Sequence, residues 1–226
     1  MNDTLYQIAI WLIPLIIAIV FHEVAHGYVA RMLGDQTAAE RGRLTLNPIR
    51  HVDPVGTLLV PMMLALAHAP IFGWAKPVPV ITERLNHPRR DMALVALAGP
   101  GINLVLATIA AAVIGLWNMW GGGLPQIGAG RFVVDNLASF LKINVFLAVF
   151  NLLPVPPFDG GHVVEALLPR SLAAHYAKLV RFGFPVMLFL LVILPLLAPR
   201  ADVVARIVGP IVYSIIDMLL SLFGLI

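Results

Sequence analysis

The sequence predicts an all-α polytopic membrane protein of five to six transmembrane helices, with a re-entrant segment and a short cytoplasmic-side β hairpin. Three observations carry that prediction. Of 226 residues, 60% are hydrophobic and 12% are charged, about half the charge of an ordinary soluble domain. The mean hydropathy is +0.91. The apolar residues also gather into runs of about 20, the length that crosses a bilayer as a helix. This composition excludes a cytosolic enzyme, a disordered chain and a disulfide scaffold. With no Cys there is neither a thiolate nucleophile nor a thiolate metal site. The pI near 9.6 does not point to nucleic acid, because the cations sit in short stretches between apolar runs, as in membrane loops.

In chain order the expected spans are residues 5–30, 92–118, 135–153, 181–198 and 203–225. The first follows no basic n-region and is too long for a signal h-region, so it is kept as a helix. A sixth run, 55–72, is shorter and carries Pro61, His68 and Pro70. No long polar loop separates the runs, which leaves one domain over 1–226, a core over 5–165 and accessory helices over 176–226. Orientation depends on 55–72. If it crosses, Lys and Arg divide seven against seven between the two faces. If it dips and returns, one face holds eleven: Arg31, Arg41, Arg43, Arg50, Lys76, Arg84, Arg89, Arg90, Arg170, Lys178 and Arg181. The other holds Arg131, Arg200 and Arg206. The positive-inside rule favours the second arrangement. It gives a re-entrant 55–72, an outside N-terminus and a cytoplasmic face built from 31–91 and 154–180. Segment 36–50 reads as a short strand or two on that face, and the prolines of 71–82 restrict it to an edge strand or extended loop.

Inside the first span stands Phe21-His22-Glu23-Val24-Ala25-His26-Gly27. Residues four apart share a helix face, so His22 and His26 are able to hold one zinc ion between them, and Glu23 is placed to act on water as a general base. With seven His in the chain, random order gives about 0.004 such pentads. An ionisable residue at membrane depth costs about 2.5–3.5 kcal/mol, so three together need a compensating partner, which a metal supplies. The alternative is a polar face packed against neighbours or lining a proton path. Catalytic zinc takes three protein ligands and leaves one position for water. Candidates for the third are His51, Asp53, His68, Asp91, Asp159, His162 and Glu165. Asp159 is best placed, after the helix-breaking Pro154, Pro156 and Pro157 and before a Gly pair. It reads equally as a ligand or as an N-cap. The topology offers a check. The pentad lies about 12 Å before the cytoplasmic end of the first helix, and in the re-entrant arrangement Asp159 reaches the same leaflet.

These residues resemble the site-2 protease family of intramembrane zinc metalloproteases. The resemblance rests on the pentad, on Asn151-Leu-Leu-Pro154 with Phe158-Asp159-Gly160, and on Gly99-Pro100-Gly101-Ile102-Asn103. Asn47-Pro48 with His51-Val-Asp53-Pro54 is similar to the compact bacterial and archaeal branch without a PDZ domain; the polar loops are too short for such a domain of about 90 residues. The resemblance implies that His22, His26 and Asp159 bind one Zn2+ per chain and that Glu23 activates water. It implies that Asn103 and Asn151 line the site, placing substrate or stabilising the oxyanion. Read from the residues alone, the alternative for Asn103 is an interhelical hydrogen bonder beside close-packing glycines, and for Asn151 a cap for a broken helix; the functional reading is favoured for both. His51 and Asp53 read as turn residues. Trp117 and Trp120 suit an outer interfacial belt. The implied partners are a membrane protein with a transmembrane helix and the lipid bilayer, in a prokaryotic cytoplasmic (inner) membrane, with the active site toward the cytoplasmic leaflet. The competing classes are a zinc-dependent membrane hydrolase of a non-peptide substrate, and an ion or proton transporter using buried His and Asp.

Overall fold

The fold described below is a computed structural model covering residues 3–66, 73–189, 193–197 and 204–226. Its first helix, α1 (Asp3–Met32), is followed by the one-turn α2 (Thr37–Glu40), a 3-10 turn (Pro48–His51) and a π-helical turn (Pro54–Leu59) that leads into α3 (Val60–Leu66). Two long helices follow, α4 (Pro88–Trp120) and α5 (Gly128–Asn151). Short helices α6 (Asp159–Leu167), α7 (Arg170–Ala177), α8 (Val180–Leu188) and α9 (Leu194–Leu197) precede α10 (Gly209–Leu222).

Four helices are long and apolar enough to cross a membrane: Thr4–Met32, Pro88–Trp120, Gly128–Asn151 and Ala205–Leu222. Only 22–39% of each apolar window is buried within the protein, so most of that surface is left for lipid. Leu5, Ile8, Trp11 and Leu12 of α1 are all exposed in this way. The chain is an integral membrane protein. Against the five to six expected spans, four lie among the described residues. The expected span 181–198 includes residues outside them, and so does the end of 55–72, with His68.

α1, α4 and α5 pack on one another, and α6 packs on α4. Small residues make the approach close: Ala107, Ala110 and Ala111 of α4 meet Leu141, Val145 and Val149 of α5 and Val212, Ile216 and Leu219 of α10. In lipid, where burial of apolar surface gives helices no drive to associate, such small-residue contacts hold them together.

The expected β hairpin does not form. Among the described residues there is no strand. In 36–50 local side-chain bonds win over pairing: the Thr37 N–H and hydroxyl donate to Asp35 Oδ1 in the turn ahead of α2, and Asn47 caps the 3-10 turn at Pro48 by accepting from the Ile49 N–H. Residues 73–81 form neither helix nor strand; Pro77 and Pro79 have no N–H to give to a ladder. The remaining N–H groups are used individually. Trp74 donates to the Gly56 carbonyl, Lys76 to the His51 carbonyl, Val78 to Glu23 and Ile81 to Asp35. The Thr57 hydroxyl donates to the Trp74 carbonyl. Residues 74–76 therefore lie beside 51–57.

Candidate metal centre

The spacing of His22 and His26 does on α1 what a helix dictates: the rings stand side by side, centroids 4.6 Å apart and nearly perpendicular. Each ring is oriented from behind. His22 Nδ1 lies 2.6 Å from Asn103 Oδ1, and His26 Nδ1 lies 2.7 Å from the Val95 carbonyl. Both partners only accept, so both Nδ1 atoms carry the hydrogen. In neutral imidazoles both Nε2 atoms then present lone pairs, and they face each other at 3.1 Å.

Asp159 completes a triangle. Its Oδ2 is 3.2 Å from His22 Nε2 and 3.4 Å from His26 Nε2, and it is buried without any hydrogen-bond donor. Three such acceptors converging repel one another unless a cation, a proton or a metal ion, sits between them. The dimensions suit zinc. Bonds of about 2.0–2.1 Å set the corners of a tetrahedron about 3.3–3.4 Å apart, close to the three separations found. Among the described residues these are the three whose ligand atoms gather in this way.

Two glycines allow the approach. A Cβ on Gly99 would lie 2.5 Å from both His22 Cε1 and His26 Nε2, so α4 can pass the ring pair only without one. A Cβ on Gly160 would lie 2.3 Å from the Leu152 carbonyl oxygen, which lets the first turn of α6 fold back on the end of α5. Between them Pro154, Pro156 and Pro157 end the helix, and the chain turns through Val155 N–H to Leu153 and Phe158 N–H to Val155. The capping reading of Asp159 is not what the structure adopts: Phe158 is the N-cap of α6, with no side-chain cap, and Asp159 follows as the first helical residue.

Glu23 Oε2 accepts the Val78 N–H at 2.8 Å, which ties it to segment 73–81. Asn103 is fully buried and stands behind His22 rather than on the open side of the triangle. Asn151 donates to the Leu147 carbonyl one turn back, and no hydrogen bond joins it to the triangle. His51 donates to or accepts from no ligand residue; its Nε2 meets the Thr45 carbonyl, while Asp53 accepts the Val55 and Gly56 N–H groups, so both shape turns as expected. Asp91 accepts the His87 N–H at the start of α4. His162 and Glu165 line a cleft of about 370 Å³ with Arg89 and Arg170, and none of His22, His26 and Asp159 lines it. Sequence reasoning missed Asn144, whose Oδ1 accepts from Asn103 Nδ2 at 2.7 Å. Its signal was available: it lies two helical turns before Asn151, an amide in the middle of an apolar span.

With this geometry in place, the comparisons with known proteins fall into line. Residues 10–194 match peptidase family M50. YwhC of Bacillus subtilis, a candidate zinc metalloprotease, is 41% identical over 181 residues, 80% of this chain and 78% of YwhC. Rip2 of Mycobacterium tuberculosis, another candidate zinc metalloprotease, is 36% identical over 188 residues, 81% of this chain and 66% of Rip2. The zinc metalloprotease MJ0392 of Methanocaldococcus jannaschii is 22% identical over 171 residues, 76% of this chain and 38% of its own length. No solved structure matches the chain.

Proposed function

The chain belongs to peptidase family M50, the site-2 proteases, and from that premise we propose that this membrane metallopeptidase cuts peptide bonds within or beside transmembrane helices, near the cytoplasmic leaflet. The observation that carries the proposal is the triangle of lone pairs from His22, His26 and Asp159. In this reading they hold one zinc ion per chain. When bound, zinc supplies a Lewis acid that polarises the scissile carbonyl and lowers the pKa of water. Glu23 takes the proton from the attacking water as its oxygen bonds to the carbonyl carbon. It returns that proton to the amine nitrogen as the C–N bond breaks. The Val78 N–H fixes the Glu23 carboxylate for both transfers. Asn151, at the broken end of α5, is assigned to substrate or oxyanion placement, which requires its amide to leave the Leu147 carbonyl.

A helical substrate keeps its carbonyls paired and must unwind before attack. The extended 73–81 segment is suited to hold the unwound chain. In an extended chain successive backbone groups alternate in direction; the N–H groups of Trp74, Lys76 and Val78 bond to other parts of this protein. The carbonyls of Ala75, Pro77 and Pro79 then point to the opposite edge and are available to accept from an added strand.

The hydrogen bonds between 51–57 and 74–76 support a 55–72 segment that turns back rather than crosses. The meeting of Asp159 with α1 supports the arrangement in which the N-terminus is outside and the site faces the cytoplasmic leaflet of a prokaryotic inner membrane. The test compares wild type with Glu23→Gln, purified in detergent, for bound zinc and for cleavage of a panel of single-span membrane proteins. Equal zinc with cleavage only by wild type is expected. Cleavage by both, or zinc in neither, would reject the proposal.

A further inference from the structure

Behind the triangle, four groups from three helices run in one line. The Phe140 carbonyl accepts from Asn144 Nδ2 at 2.8 Å, Asn144 Oδ1 accepts from Asn103 Nδ2 at 2.7 Å, and Asn103 Oδ1 meets His22 Nδ1 at 2.6 Å. Asn103 also points Nδ2 at the Ala18 carbonyl, at 3.4 Å. Both asparagines are fully buried and His22 is nearly so.

This line has one polarity. A backbone carbonyl only accepts, so Asn144 turns its NH2 to Phe140 and its oxygen to Asn103. That oxygen only accepts, so Asn103 turns its NH2 to Asn144 and its oxygen to His22. His22 must then hold its proton on Nδ1 and bare its Nε2 lone pair toward His26 and Asp159. His26 takes the same tautomer from the Val95 carbonyl, a backbone group that no side-chain substitution removes. His22 depends on a chain of side chains instead, and its outermost changeable member lies on α5.

We propose that Asn144 is a positioning residue for the metal centre: through Asn103 it sets the tautomer and ring orientation of His22, so that a helix carrying no ligand within its span tunes the affinity of the site. The proposal rests on the zinc reading above. Groups that orient a ligating histidine in this way typically change metal affinity by about 10–100-fold when removed.

The experiment measures zinc affinity of the purified full-length chain by competition with a chromophoric chelator, alongside the melting temperature of the zinc-free protein. The variants are Asn144→Leu, Asn144→Asp, Asn103→Leu and the double Asn103→Leu/Asn144→Leu. Asn144→Leu is expected to weaken zinc about 10-fold or more, while Asn144→Asp, which keeps the acceptor for Asn103, retains affinity within a few-fold. The double variant is expected to bind no more weakly than Asn103→Leu, because Asn144 acts only through Asn103. If Asn144→Leu does not fold, Asn144→Ala, which withdraws the acceptor at smaller volume, takes its place. Wild-type affinity in the Asn144 variant with only a lowered zinc-free melting temperature would overturn the proposal, and so would full additivity in the double variant. Absence of zinc from wild type would instead overturn the reading on which it rests.

Discussion

Gly99 shows how little separates this centre from a packed helix pair. A methyl group there would sit 2.5 Å from both imidazoles, inside any real contact distance. Gly99→Ala is therefore expected to push the rings apart and lower zinc occupancy at least 10-fold at limiting zinc, equivalent to about 1–3 kcal/mol of overpacking; metal analysis of the purified variant checks this. Asp35 offers a second residue-scale test. Burial pushes its carboxyl up, but the donors from Thr37 and the Ile81 N–H, with Arg84 nearby, outweigh burial and hold it below the usual carboxylate value. Stability from this group is then fully present above the usual Asp pKa of about 3.9. It is lost as pH falls through the lower folded value. Asp35→Asn should lower the melting temperature at pH 7 and flatten its acid dependence; an unchanged profile between about pH 6 and pH 3 would contradict this. At this scale the pentad was legible because helix periodicity alone puts His22 beside His26. Asn144 was legible only as an amide within an apolar span, which does not reveal which neighbouring helix it will meet.

Among the elements, segment 73–81 links Glu23, the proposed base, to the rest of the fold. Pro77 and Pro79 flank Val78, whose N–H is given to Glu23. Val78→Pro removes that donor while suiting an extended backbone. Loss of a hydrogen bond to a charged group is worth about 1.5–3 kcal/mol, so kcat should fall roughly 10–100-fold with zinc content unchanged; equal kcat in the variant would show that the bond does not position Glu23. The sequence signalled the prolines and hence the blunted edge. It misled at 36–50, where Thr45 and Leu46 suggested strand but Asp35 and Asn47 offered the backbone closer partners. Side-chain caps act over two residues, whereas a hairpin needs a register that these caps interrupt. The Asp159 segment was half legible: three prolines announced a break after α5, but only the fold made Phe158 the N-cap of α6 and set Asp159 beside the two histidines.

For the whole molecule, bilayer thickness made the long spans readable, since a length of about 20 apolar residues is a physical requirement rather than a preference. The proposed orientation rests on where the cations fall. A reporter fused near residue 80 should report the cytoplasmic side, and one near residue 125 the opposite side; residue 80 outside would reject the re-entrant arrangement and separate Asp159 from the histidines. That arrangement, the tautomers and the glycine contacts all converge on a single site. X-ray absorption at the zinc edge of the purified, zinc-loaded chain tests it most directly. Two imidazole nitrogens and one carboxylate oxygen at about 2.0–2.2 Å are expected, with the oxygen lost in Asp159→Ala. A coordination shell identical in wild type and Asp159→Ala, or one without paired imidazoles, would contradict it.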